Sequence, residues 1–107
     1  MNVEKISSGQ KTASAVISAT ACDFCGLIMA LHGTGAVLDI YDNATAAAGD
    51  KLIPTVTIPI PDPDIETEFI LDMSDGVRAM NGVYVDVALD GKTTCAYVAY
   101  TRNGKAE

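Results

Sequence analysis

The sequence has no tryptophan, only two phenylalanines and four tyrosines, so its core must be built mainly from aliphatic side chains. Such side chains suit strands better than a ligand pocket lined by aromatic rings. Basic residues are also few: seven Lys and Arg stand against fourteen Asp and Glu, which gives a formal charge of −7. Because this charge repels phosphate groups, we expect neither nucleic acid nor an anionic membrane as a partner.

Long apolar runs and secretion signals are missing as well. The least polar stretch, residues 12–31, contains Asp23 and several Ser and Thr residues, unlike a membrane-spanning helix. Polar residues at positions 4 and 7–10 stand where a signal peptide carries its apolar segment, so we expect no secretion. Three cysteines, an odd number, argue against a disulfide framework. The length, 107 residues, fits one domain over residues 1–107.

What the chain does contain is a series of short alternating segments separated by turn residues. This pattern predicts a mainly all-β fold, either an antiparallel β-sandwich or a jelly-roll-like barrel of about seven or eight strands. Residues 13–21 fit a helix or a strand equally well, and Pro54 and Pro59 restrict their segment to a sheet edge or a bulged position. The predicted strands are residues 24–31, 36–41, 51–59, 65–72, 83–89 and 92–101.

The strongest local signal is Asp90-Gly91, which stands between the last two segments. Such a dipeptide is typical of a two-residue β-hairpin turn, so the sequence predicts a C-terminal hairpin. Opposed residues of a hairpin share a face. The predicted core face comprises Val83, Val85, Val87, Leu89, Ala96, Val98 and Tyr100, and the predicted outer face comprises Tyr84, Asp86, Cys95, Tyr97 and Thr101.

Four side chains are of the kinds that bind zinc, namely Cys22, Cys25, His32 and Cys95. Tetrahedral zinc requires four such ligands, and a CxxC pair also occurs in redox enzymes. However, the second pair is split by 62 residues, and the βαβ context of a redox CxxC is missing. A zinc-binding or redox-responsive module is therefore the alternative hypothesis. We expect thiols that are neither catalytic nor bound to a metal, and no cofactor.

No nucleophile has a sequence signature that would recruit the single histidine as a base, so we expect a protein that is not an enzyme. Acidic residues alternate at positions 62, 64, 66 and 68, which places them on one side of an extended chain. Like charges at such positions protect an edge strand from unwanted pairing. Calcium binding and contact with a basic neighbouring subunit are the alternatives for this acidic segment.

Two segments resemble small virion structural proteins of tailed bacteriophages, of the decoration or head-tail accessory type. Residues 35–49, GAVLDIYDNATAAAG, are similar to a V-x-V-Y-D-N-A-x-A-A-S-G segment of such proteins. The later run Asn81-Gly82-Val83-Tyr84-Val85 is similar to their N-G-x-Y-V segment, which leads into a terminal hairpin. The resemblance covers roughly residues 33–100, and its motifs consist of turns and strands without reactive groups.

The resemblance implies a structural subunit that is made in the host cytoplasm and incorporated in the virion. Its partners would be capsid or tail subunits and other copies of itself, which makes a homo-oligomer the expected state. Tyrosine provides a large contact area with few rotatable bonds, and small side chains leave flat surfaces. The candidate interface residues are therefore Tyr84, Tyr97, Ala44, Ala46, Ala47 and Ala48.

Overall fold

The computed structural model describes residues 5–102, apart from the side chain of Ser74, and this part of the chain consists of strands and connections without a helix. The predicted all-β fold class is confirmed. Residues 5–102 form eight strands: β1 (Ile6–Lys11), β2 (Ala15–Ser18), β3 (Cys22–His32), β4 (Gly35–Tyr41), β5 (Val56–Pro59), β6 (Thr67–Ala79), β7 (Val83–Leu89) and β8 (Thr94–Arg102). Residues 13–21, whose sequence fitted a helix or a strand, contain the strand β2.

The strands form two antiparallel four-stranded sheets that pack as a β-sandwich. Sheet A has the order β1-β8-β3-β6, and sheet B has the order β2-β7-β4-β5. β5 lies at an edge, as predicted from the prolines of this segment, because a proline has no N–H to donate to a second neighbouring strand. The four edges are therefore β1, β2, β5 and β6.

The core lies between the sheets and is mainly aliphatic, with Tyr97 and Phe24 as its largest fully buried side chains. Side chains alternate across each strand, so every second residue of β3 and β4 faces the core. Leu27 and Met29 of β3 and Leu38 and Ile40 of β4 are fully buried, as the alternation of residues 36–41 predicted for β4. Each such side chain contributes roughly 1.5–3 kcal/mol relative to an exposed one.

The predicted C-terminal hairpin is wrong, because β7 and β8 belong to different sheets. β7 pairs with β2 and β4, whereas β8 pairs with β1 and β3. A turn does form at the expected dipeptide: the Thr93 N–H donates to the Asp90 carbonyl at 2.9 Å, and Gly91 has a φ of +53°. The chain at this turn passes from sheet B to sheet A instead of folding back within one sheet.

Thr93 explains why the turn connects the two sheets. Its buried hydroxyl accepts hydrogen bonds from the N–H groups of Thr34 at 2.8 Å and Gly35 at 3.2 Å. Residues 33–34 connect β3 to β4, which is also a connection between the sheets. The two connections therefore lie side by side, and Thr93 satisfies donors that would otherwise be buried without a partner.

The faces predicted for β8 are the reverse of those observed. Cys95, Tyr97 and Ala99 are buried, because they pair with the inward-facing Leu31, Met29 and Leu27 of β3. The side chains predicted to face the core are half-buried on the outer face of sheet A; these are Ala96, Val98 and Tyr100. The error follows from the predicted hairpin. Each residue of β8 was assigned to the face of the β7 residue opposite it in that hairpin, and these two strands do not pair. For β7 the inward positions Val83 and Val85 are correct.

Candidate interaction surface

The connection after β4 is held in shape by one side chain. The Asn43 Oδ1 atom accepts hydrogen bonds from the Thr45 N–H at 2.8 Å, the Ala46 N–H at 3.0 Å and the Thr45 hydroxyl at 3.2 Å. Its Nδ2 atom donates to the Ala48 carbonyl at 3.0 Å. An asparagine side chain that bonds to the backbone two residues later stabilises such a turn. The loop is thus ordered locally, and the side chains of Ala46, Ala47 and Ala48 are exposed.

Backbone hydrogen bonds close the base of this loop. The Asp42 N–H donates to the Asp50 carbonyl, and the Leu52 N–H donates to the Ile40 carbonyl, both at 2.8 Å. Gly49 has a φ of +86°, a conformation that only glycine adopts at little cost. The motif from Asp42 to Gly49 therefore consists of residues that shape a loop, with no reactive group among them.

The carboxylate of Asp42 connects this loop to the turn between β6 and β7. It accepts hydrogen bonds from the Met80 N–H at 3.1 Å and the Asn81 N–H at 2.8 Å. Gly82 completes the junction, since a Cβ atom there would lie 2.5 Å from the Ser18 carbonyl oxygen and 3.0 Å from the Ala44 Cα. Residues 42–50 and 80–82 thus meet at one end of the sandwich, which we call the loop end.

Tyr84 lies next to the loop end on the outer face of sheet B. It pairs with Tyr41, the residue just before the loop, and on its other side with Val16 of β2. The Nζ atom of Lys51 lies 5.8 Å from the centre of the Tyr41 ring. Five of the six candidate interface residues, Tyr84 and the four alanines, therefore belong to one region of the surface.

Tyr97, the sixth candidate, is not available for contact with a partner. Its side chain is only 1% exposed, and its hydroxyl donates a hydrogen bond to the Ala13 carbonyl at 2.7 Å. Burial raises the pKa of Tyr97 well above its usual range. The prediction that Tyr97 lies on the outer face is wrong, because the hairpin pairing assigned β8 to the wrong register.

The four candidate zinc ligands do not meet in the structure. Cys95 pairs with Leu31, which lies nine residues along β3 from Cys22 and hence about 30 Å away. His32 is exposed, whereas Cys95, one residue beyond its partner on β8, is buried and faces the core. Within residues 5–102 no three side chains of His, Cys, Asp or Glu are grouped as they would be around a metal ion. These four residues therefore cannot share one zinc ion in this fold.

The thiols also lie in surroundings that oppose redox chemistry. All three cysteines are free and buried. Burial raises the pKa of the Cys22 thiol, although a hydrogen bond with Ser18 partly offsets this, and burial raises the pKa of Cys95 as well. Since the thiolate is the reactive form, Cys22 and Cys95 are poor nucleophiles in the folded chain.

The sequence did not predict that two aspartates on the outer face of sheet B are paired. Asp39 of β4 lies opposite Asp86 of β7, and like charges in such a pair are destabilising. The Thr55 hydroxyl and Lys51, whose Nζ atom lies 3.1 Å from Asp39, compensate this charge, and their hydrogen bonds lower the pKa of Asp39. The Ser14 hydroxyl donates to Asp86 at 3.0 Å. No local signal could have revealed this pairing, because the two aspartates lie 47 positions apart.

A shallow groove of about 400 Å³ lies at the other end of sheet B. It is lined by the start of β4, the end of β7 and β5, and its side chains are mostly small or aliphatic, such as Val37 and Leu89. Asp90 is the charged residue among those lining it. The groove therefore offers no pair of groups for acid-base or nucleophilic catalysis.

In comparison with known proteins, no protein-family model matches the chain, and no curated protein is significantly similar to it. Across residues 5–102 there is no helix with the length and apolar character needed to cross a membrane.

Proposed function

We propose that this chain is a non-enzymatic structural subunit of a tailed-phage particle, present in many copies and bound to capsid or tail subunits through its loop end. The observation that supports this is the contact made by Asp42. Asp42 of the first segment accepts hydrogen bonds from the N–H group of Asn81, which begins the second segment 39 residues later, and from that of Met80 just before it. Both motifs thus serve to build one surface.

The loop end has the physical properties of a docking surface. Asn43 and Asp42 hold its backbone in place, so little conformational entropy is lost when a partner binds. Its exposed side chains include those of Ala46, Ala47 and Ala48, and Met80 is 68% exposed. Methionine adapts its shape to an irregular partner surface. An ordered surface with small and apolar side chains fits a protein partner better than a small ligand.

The charge of the chain favours separate, soluble copies before assembly. A formal charge of −7 keeps separate copies soluble and apart in the cytoplasm of the host. A typical stable interface buries about 800 Å² on each partner, which is a large share of the surface of a chain this small. Many copies on one particle strengthen binding further, because individually weak contacts act together.

A loading experiment tests the proposal with two variants. Ala47→Asp places a charge in the loop end, and Ala88→Asp places the same charge at an exposed position near the far end of β7. We expect Ala47→Asp to reduce the amount of chain on purified particles at least tenfold, because a buried unpaired charge costs several kcal/mol. Ala88→Asp should load like the wild type.

Circular dichroism and thermal unfolding establish that both variants are folded before loading is compared. If Ala47→Asp loads at the wild-type level, the loop end is not the contact surface. If the wild-type chain is absent from purified particles, the proposed function is wrong.

A further inference from the structure

Residues 5–18 join an edge of sheet A to an edge of sheet B. β1 pairs with β8 at the edge of sheet A, β2 pairs with β7 at the edge of sheet B, and residues 12–14 cross from one sheet to the other. A strand at an edge has one neighbouring strand, so β1 and β2 are each held from one side. We call residues 5–18 the N-terminal strap.

The N-terminal strap contributes little to the hydrophobic core. Across residues 5–102, the buried side chains that form the core all lie between Cys22 and Ala99. Within residues 5–18, Ile17 alone packs against this core and is only partly buried, whereas Ile6 is 46% and Val16 is 38% exposed. Burial of apolar side chains supplies most of the free energy that holds a strand in place, so the strap is held less firmly than β3 or β4.

The pairing of β1 with β8 is also interrupted. The register shifts between Ser7 and Gln10, where Gly9 has a φ of +74°. At this point of β8 the Ala99 N–H donates at 3.0 Å to the side-chain hydroxyl of Ser8. An interrupted edge strand opens more easily than a strand with a neighbour on each side.

Two side chains of β8 reach the residues of the strap that cross between the sheets. The Tyr97 hydroxyl donates to the Ala13 carbonyl at 2.7 Å, and the Cys95 Sγ atom lies 3.7 Å from the Thr12 carbonyl oxygen. The Cys95 side chain is 7% exposed. The strap therefore covers the Cys95 thiol on the open side of the sandwich.

Ser14 fastens the strap to sheet B. Its hydroxyl accepts a hydrogen bond from the Val87 N–H at 2.9 Å and donates to Asp86 at 3.0 Å. Residues 19–21, which connect the strap to β3, are exposed. The contacts that fasten the crossing residues are thus few and polar, and rotation about residues 19–21 separates the strap from β7 and β8.

We propose that the N-terminal strap opens as one unit while β3 to β8 stay folded, and that each opening uncovers the Cys95 thiol. β3 to β8 and their connections hold every buried side chain of the core, so this part of the sandwich stays packed when the strap leaves. β1 and β2 leave together, because the contacts at residues 12–14 fasten both. Opening frees the edges of β7 and β8, at which another strand can pair. The inference does not depend on the proposed function.

Thiol labelling of the folded chain tests this inference. Cys95 is made the sole cysteine by Cys22→Ala and Cys25→Ala, and a soluble aromatic disulfide reagent is used at a concentration low enough that the strap closes faster than the thiol reacts. The labelling rate then reports the population of molecules with an exposed thiol. We expect this population to exceed the globally unfolded population, measured by urea unfolding of the same variant, at least about 100-fold.

Two variants in this background separate strap opening from global unfolding. Ser14→Ala removes a contact that only the closed strap makes, so Cys95 labelling should accelerate about tenfold. Ile58→Val is the matched control, because it removes a buried methyl group from β5 at the opposite edge of sheet B. It destabilises the closed and the strap-open state equally, so it should lower the urea midpoint without changing the labelling rate.

The inference is overturned if Cys95 is labelled no faster than global unfolding allows. It is also overturned if Ile58→Val accelerates the labelling as much as it raises the unfolded population, or if Ser14→Ala leaves the labelling rate unchanged. Circular dichroism establishes that each variant is folded in the labelling buffer. None of these results changes the loading test of the loop end, so the two proposals fail separately.

Discussion

Removal of the Asp42 carboxylate should loosen the junction between the two motifs. In Asp42→Ala the N–H groups of Met80 and Asn81 lose their acceptor. A hydrogen bond to a charged group contributes roughly 1.5–3 kcal/mol. Because these N–H groups lie at an exposed junction where water replaces part of each bond, we expect a total loss of about 2 kcal/mol in the free energy of unfolding.

For a domain of about 100 residues, this loss corresponds to a decrease in Tm of roughly 8–16 °C. Thermal unfolding and urea titration measure it, and hydrogen exchange of the Met80 and Asn81 amides should accelerate in the same variant. Asp50→Ala is the matched control, since it removes an equal charge from the same loop but leaves the backbone carbonyl that closes the loop. Its stability should stay within about 0.5 kcal/mol of the wild type.

The reasoning is refuted if Asp42→Ala and Asp50→Ala have the same stability. It is also refuted if the two amides exchange at the wild-type rate in Asp42→Ala, because the carboxylate would then not hold the turn in place.

Three further predictions concern the core, a close backbone contact and a surface carboxylate. Tyr97→Phe removes the donor to the carbonyl of the exposed Ala13, so urea unfolding should show a loss of about 0.5–1.5 kcal/mol, and an unchanged value would contradict a contribution from this hydrogen bond. Gly26→Ala should cost about 3 kcal/mol or more, because its Cβ would overlap the Leu71 carbonyl oxygen and its φ is +122°; stability equal to the wild type would exclude this close approach. The lowered pKa of Asp39 stabilises the fold above the usual carboxyl pKa of 3.8, and this contribution is lost as the pH falls through the lower value of the folded state. Urea titrations between pH 7 and pH 2 should therefore show a weaker acid dependence in Asp39→Asn, and an identical dependence would refute the assignment.

The fold class was predictable because alternation is a local property of each strand. The period-two pattern of residues 36–41 predicted both β4 and its buried face, and the prolines placed β5 at an edge. Pairing between strands is not local. The dipeptide Asp90-Gly91 indicates a turn but does not specify whether the chain returns within one sheet, and here the hydroxyl of Thr93 binds a connection 58 residues earlier.

The candidate surface was predictable in part for the same reason. Ala46, Ala47 and Ala48 are exposed in a loop that Asn43 orders through contacts within five residues, which the sequence displays directly. The contact between Asp42 and the turn at Asn81 spans 39 residues and depends on the sandwich being assembled. Tyr97 was misassigned because its face follows from pairing with β3, and no residue near it in the sequence encodes that partner.

Quantitative mass spectrometry of purified phage particles tests the central proposal most directly. The particles would come from an infection in which this chain is expressed, and they would be purified through two density gradients to remove free protein. We predict that the chain remains on the particles in many copies, at a constant ratio to the major capsid subunit in independent preparations, and that Ala47→Asp lowers this ratio at least tenfold. Particles that lack the wild-type chain, or that hold it at a ratio that falls with each purification step, would contradict a structural role in the virion.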